Sequence, residues 1–66
     1  MPIVQISIAA GKTDAQMKEM YKQVTDAMVK SLDVKPEAIT IFVQEYEHTK
    51  IGKLGMTYQE FLQKQS

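Results

Sequence analysis

The feature that most constrains this chain is a change of hydrophobic period, from two to helical and back to two. Residues 2–9 alternate: Pro2, Val4, Ile6 and Ile8 fall on one face, and Ile3, Gln5, Ser7 and Ala9 on the other. Alternation among β-branched residues predicts a strand. Neither face is strongly polar, so both are expected to be covered. Gly11 breaks the pattern. Met17, Met20, Tyr21, Val24, Ala27, Met28 and Leu32 then recur at spacings of three and four. Such a stripe is the buried face of a helix of about 18 residues. Lys18, Glu19, Lys22, Asp26 and Lys30 fall mostly on its other face. Thr13-Asp14-Ala15-Gln16 reads as the capping box that starts it, with Asp14 near the positive end of the helix. Asp33-Val34-Lys35-Pro36-Glu37 is a connector, and Pro36 is expected to stop the helix before it.

Period two returns over residues 38–46, AITIFVQEY. Ile39, Ile41 and Val43 share one face; Thr40, Phe42 and Gln44 share the other. Strand, helix and strand in this order make a right-handed βαβ unit with two parallel strands. Gly52 and Gly55 suggest a tight turn or short hairpin, and Thr57 to Leu62 a last capped helical turn. The expected architecture is thus a single α/β domain over residues 1–66. One helix over two strands leaves a sheet face and an edge bare, which calls for self-association.

Size leads to the same expectation. A chain of 66 residues buries only about 60% of the surface that its unfolded form exposes. The usual supports are disulfides, metals or partner chains. The sequence has no cysteine and one histidine, His48, in a polar connector where it is expected to be exposed. Disulfides and thiolate sites are excluded, and no metal site is expected. Eight basic residues balance eight acidic ones, and every basic residue is lysine. Without a clustered basic patch, no nucleic-acid partner is expected. No run approaches the roughly 18 apolar residues of a membrane span. The opening MPIVQISI has no charged segment followed by a long apolar core, so a cytoplasmic protein is the expectation.

Candidate chemistry is sparse. There is no phosphate loop and no metal cluster, and one histidine makes no credible Ser-His-Asp set. Gly11, Gly52 and Gly55 are too far apart for a dinucleotide fingerprint. No cofactor is expected. The exception is Met1-Pro2. Loss of Met1 leaves a secondary amine at the start of the first strand. An ordinary α-amino group titrates near about 7.7–8.0. In an apolar pocket its charged form is disfavoured, and a neutral amine at working pH is a competent general base.

The opening PIVQISIAAGKTDAQM, the helix after it and the segment SLDVKPEAITIFVQE resemble the 4-oxalocrotonate tautomerase family. The likeness runs in register from Pro2 to about Tyr46, and Gly52 to Gly55 is similar to the family's terminal hairpin. The resemblance implies a βαβ subunit that pairs into a four-stranded sheet, with three such dimers in a homohexamer. It implies Pro2 as the base of an isomerase that moves a proton in enol or enone forms of small 2-oxo acids. The family places an arginine for a substrate carboxylate where this chain has Lys12, which keeps the charge and loses the bidentate fork. A second family arginine is replaced by Thr40, which offers one uncharged donor or serves simply as a strand residue. That departure puts a dicarboxylate substrate in doubt. A family aromatic near the hairpin is replaced by Ile51, which either helps to keep the site apolar or packs the hairpin. Other chemistry on an enone (decarboxylation, hydration or a biosynthetic step) and a non-catalytic oligomeric module are the competing readings. Phe42, Tyr46 and Tyr58 are expected at subunit interfaces.

Overall fold

A computed structural model describes residues 1–65. The first strand, β1, is Ile3–Ala9, and the first helix, α1, is Asp14–Leu32. The second strand, β2, is Thr40–Tyr46. β1 and β2 pair in parallel, with Ile3 opposite Thr40 and Ala9 opposite Tyr46. Two backbone bonds extend the ladder. The Thr40 N–H donates to the Pro2 carbonyl (3.1 Å), and the Ala10 N–H donates to the Tyr46 carbonyl (2.8 Å). The predicted βαβ order is therefore present.

Each end of α1 has a local cause. The Gln16 N–H donates to the Thr13 hydroxyl oxygen (3.1 Å), and the Thr13 N–H donates to Gln16 Oε1 (2.9 Å). This is the capping box that the sequence predicts. The helix stops at Asp33, which is left-handed (φ 54°, ψ 51°), its N–H donating to the Val29 carbonyl. Asp is among the few non-glycine residues that tolerate this conformation. Pro36 thus acts after the helix has already ended. It opens a 3₁₀ turn, Pro36–Ala38, which delays the second strand to Thr40 rather than residue 38.

Burial follows the alternation. Pro2, Val4, Ile6 and Ile8 are half-buried, whereas Ile3, Gln5 and Ser7 are exposed. On α1, Met17, Met20, Val24 and Met28 are half-buried, joined by Thr25 and Val29; Tyr21, Ala27 and Leu32 remain exposed. Strands lie about 4.8 Å apart, so a two-stranded sheet covers only a narrow stripe of a helix. The flanks of the predicted stripe overhang it.

The rest of the chain forms a C-terminal arm. A 3₁₀ turn, His48–Lys50, leads into a hairpin of β3, Gly52–Lys53, and β4, Met56–Thr57. Its two-residue turn holds Leu54 at φ 55° and Gly55 at φ 80°. Positive φ at both positions is the turn that matches strand twist, and glycine adopts it readily. A second helix, α2, is Tyr58–Gln65, longer than the single turn expected. Thr57 and Glu60 form its capping box: the Glu60 N–H donates to the Thr57 hydroxyl (3.1 Å), and the Thr57 N–H donates to Glu60 Oε1 (3.2 Å).

Among the described residues no apolar side chain is fully buried. The surface is 5270 Å², against about 4,200 Å² for a folded chain of this size. The radius of gyration is 15.4 Å, where a compact chain would have about 11 Å. Ile3 and Phe42 are 52% and 57% exposed on the sheet face opposite the half-buried Val4 and Ile6. The subunit carries half a core, with an uncovered face to complete it. No helix among the described residues is long and apolar enough to cross a membrane.

Candidate active site

The four residues singled out in the sequence fall into two groups. Pro2 and Thr40 lie together at the start of the sheet, tied by the Thr40 N–H to Pro2 carbonyl bond. Both are half-buried. Met1 is 82% exposed, and its sulfur accepts a hydrogen bond from the Thr40 hydroxyl at 3.7 Å. Removal of Met1 would bare the Pro2 nitrogen and free that hydroxyl in one step.

Lys12 lies beyond the opposite end of β1. The seven-residue strand separates its ends by about 20 Å at the usual rise per residue. Lys12 and Pro2 of one subunit cannot grip one small molecule. Ile51 is half-buried in the arm, where its carbonyl accepts the Tyr58 N–H at 2.7 Å. It too is remote from Pro2 along the sheet.

At the Lys12 end there is a cleft of about 550 Å³. Lys12, Gln16, Met17, Met20, His48 and Tyr58 contribute side chains to it. His48 is half-buried, contrary to the exposed position expected. Its Nε2 lies 3.0 Å from the Ala10 carbonyl oxygen. A carbonyl only accepts, so the His48 Nε2–H is the donor in this bond. Tyr58 meets the His48 ring edge-on at 5.1 Å. On its other side Tyr58 is stacked with Phe61, at 6.2 Å and 18°. The Lys53 ammonium sits 4.7 Å from the Phe61 ring centre.

Neither His48 nor Tyr58 stood out as a site residue in the sequence. For His48 a signal existed: the parallel register sets Tyr46 beside Ala9, and two further residues bring the chain level with Gly11. For Tyr58 there was none, because only the folding back of the arm places it there. The Glu60 carboxyl is held below its ordinary range. The Thr57 backbone N–H and then the Thr57 hydroxyl stabilise its charged form, with a smaller contribution from Lys64. It serves the cap of α2 and lies outside the cleft. Among the described residues no group of three His, Asp or Glu side chains is placed to hold a metal ion.

A βαβ unit with a half-covered sheet, a proline at position 2 and a terminal hairpin defines a narrow class. Residues 2–56 match the family model of the tautomerase enzymes. A probable tautomerase of Staphylococcus saprophyticus is 34% identical over 56 residues, which span 85% of this chain and 92% of that protein. The chain belongs to the tautomerase family. Among solved structures, a 4-oxalocrotonate tautomerase isozyme of Methylibium petroleiphilum is similar with a TM-score of 0.88 and 27% identity, covering 96% of this chain and 98% of that one. A heterohexameric 4-oxalocrotonate tautomerase of Chloroflexus aurantiacus shares the fold at a TM-score of 0.85 and 22% identity, over 91% of this chain and 97% of its own.

Proposed function

We propose that this protein is an isomerase of small 2-oxo acids, with the amino terminus of Pro2 as general base once Met1 is removed. The observation that carries the reading is the anchored position of Pro2, fixed by its carbonyl at the head of the sheet beside the Thr40 hydroxyl. The nitrogen accepts the 2-hydroxyl proton of an enol. The O–H electron pair becomes the carbonyl, the conjugated double bond shifts, and the same proton returns to carbon. The Thr40 hydroxyl would donate to the oxygen on which charge develops. An uncharged donor there stabilises less than a cation in a dry site. Lys12 anchors the carboxylate, and Ile51 helps to keep water out.

Base and anchor meet only between copies. β1 has an open edge, since β2 is its only strand partner among the described residues. Two identical strands related by a two-fold axis normal to the sheet run antiparallel. Pairing of that kind sets Pro2 of one copy against the Gly11–Lys12 end of the next. The bare Ile3 and Phe42 face then offers a surface for further association, and the heterohexameric relative supports a homohexamer here.

The test is an intact mass of the native protein followed by assay of the same material. The processed form should ketonise 2-hydroxymuconate or phenylenolpyruvate, and a Met1-retaining form should lose about 100-fold or more of that rate, as loss of a general base requires. Equal rates for the two forms would refute the Pro2 mechanism.

A further inference from the structure

The cleft at Lys12 is built for a particular shape and charge of molecule. Among the described residues that line it, Lys12 is the one lysine and none is a carboxylate. One positive charge matches one carboxylate. Ile8 to Gly11 and Gln16 line the strand and helix sides, and the larger apolar surfaces are flat or polarisable: the thioethers of Met17 and Met20, the imidazole of His48 and the phenol ring of Tyr58. Thioethers and aromatic rings favour π surfaces over saturated chains of equal size. The two rings are held in place. His48 is pinned to Ala10 and braced edge-on by Tyr58. Tyr58 is fixed through its N–H to Ile51 and its stacking on Phe61. Tyr58 also lies outside residues 2–56, the span matched to the family model.

We infer that Tyr58 and His48 are specificity-determining residues, and that they make the Lys12 cleft selective for planar, conjugated monocarboxylates such as aryl-substituted 2-oxo acids and their enols. The inference rests on the proposed function for the identity of the site, and it narrows the substrate class. A second carboxylate would find no second cation in the cleft.

The inference can be read without turnover, using three carboxylates that carry no transferable enol proton. Cinnamate is flat with one carboxylate, 3-cyclohexylpropanoate is similar in size but not flat, and muconate is flat with two carboxylates. Calorimetry on the assembled protein should rank cinnamate above 3-cyclohexylpropanoate by about three- to tenfold, with muconate no tighter than cinnamate. Tyr58→Leu keeps bulk and removes the ring, so it should bring the first two ligands to equal affinity. A purely structural role for Tyr58 would weaken both in proportion and leave their ratio intact. Tyr58→Phe should preserve the ratio, and circular dichroism would check that both variants keep their helices. An unchanged ratio in folded Tyr58→Leu, or muconate binding tenfold tighter than cinnamate, overturns the inference. Protein that binds cinnamate selectively but turns over no enol upholds the inference and removes the proton-transfer reading. Protein that turns over enols without selecting cinnamate does the reverse.

Discussion

At one end of β1 the chain is open: Pro2 and Thr40 sit at the head of a two-stranded sheet with little above them but an exposed Met1. At the other end it is closed in, because the start of α1 and the folded-back arm wall off a cleft around Lys12. The first end holds Pro2 beside the uncharged Thr40. The second holds a cation, aromatic walls and no base of comparable promise. The difference bears on the proposed reading, in which neither end is a site by itself and the unit of function is a contact between copies. The uncovered Ile3 and Phe42 face and the enlarged surface follow from the same incompleteness.

The comparison breaks most severely if the copies are kept apart. Phe42→Asp puts an unpaired charge on the exposed sheet face, and a charge buried in an interface costs several kcal/mol. Assembly, followed by sedimentation, should weaken by about a hundredfold or more, and activity should vanish at concentrations where the variant is monomeric. Full activity in a demonstrated monomer would show that one subunit suffices. Lys12→Ala tests the closed end directly. Loss of a charge-assisted bond should lower kcat/KM by about 10- to 100-fold, mostly through KM. Lys12→Arg should retain the anchor.

Smaller effects sharpen the picture of the arm. His48→Ala removes the bond to Ala10 and the edge contact with Tyr58. The arm should open more often by about 1–2 kcal/mol, seen as hydrogen exchange at the Tyr58 amide rising about five- to thirtyfold. No change there would mean that His48 does not hold the arm. The smallest effect concerns Glu60. Its folded pKa lies below the ordinary 4.5, so the stabilisation of the cap is complete above that value. It is lost as pH falls through the lower folded pKa, where the carboxylate takes up a proton. Helicity of α2 should therefore decline only in acid below the ordinary 4.5. Glu60→Gln, which keeps capping geometry, should flatten that dependence, as nuclear magnetic resonance shifts of Thr57 and Glu60 would show.

The strands, the helix and its capping box were legible because their causes are local. Alternation of Val4, Ile6 and Ile8, the three- and four-residue spacing from Met17 to Met28, and Thr13 with Gln16 each act within a few residues. The end of the helix at Leu32 was legible as well, but its cause was not, because no periodicity announces the left-handed turn at Asp33. Pro2, Lys12, Thr40 and Ile51 could be named as candidates from a likeness to known sequences. The separation of Pro2 from Lys12 was implicit in the predicted strand between them, but the family pattern does not say which residues belong to one copy.

What the sequence determined by itself was the βαβ order, the want of a complete core and the presence of one amine of catalytic promise. These depend on periodicity, length and residue chemistry, which are written along the chain. Tertiary structure alone decided that His48 and Tyr58 return to the Lys12 end of the sheet. Those facts depend on the parallel register and on the path of the arm, which join residues 38 to 48 positions apart through contacts that no local pattern encodes.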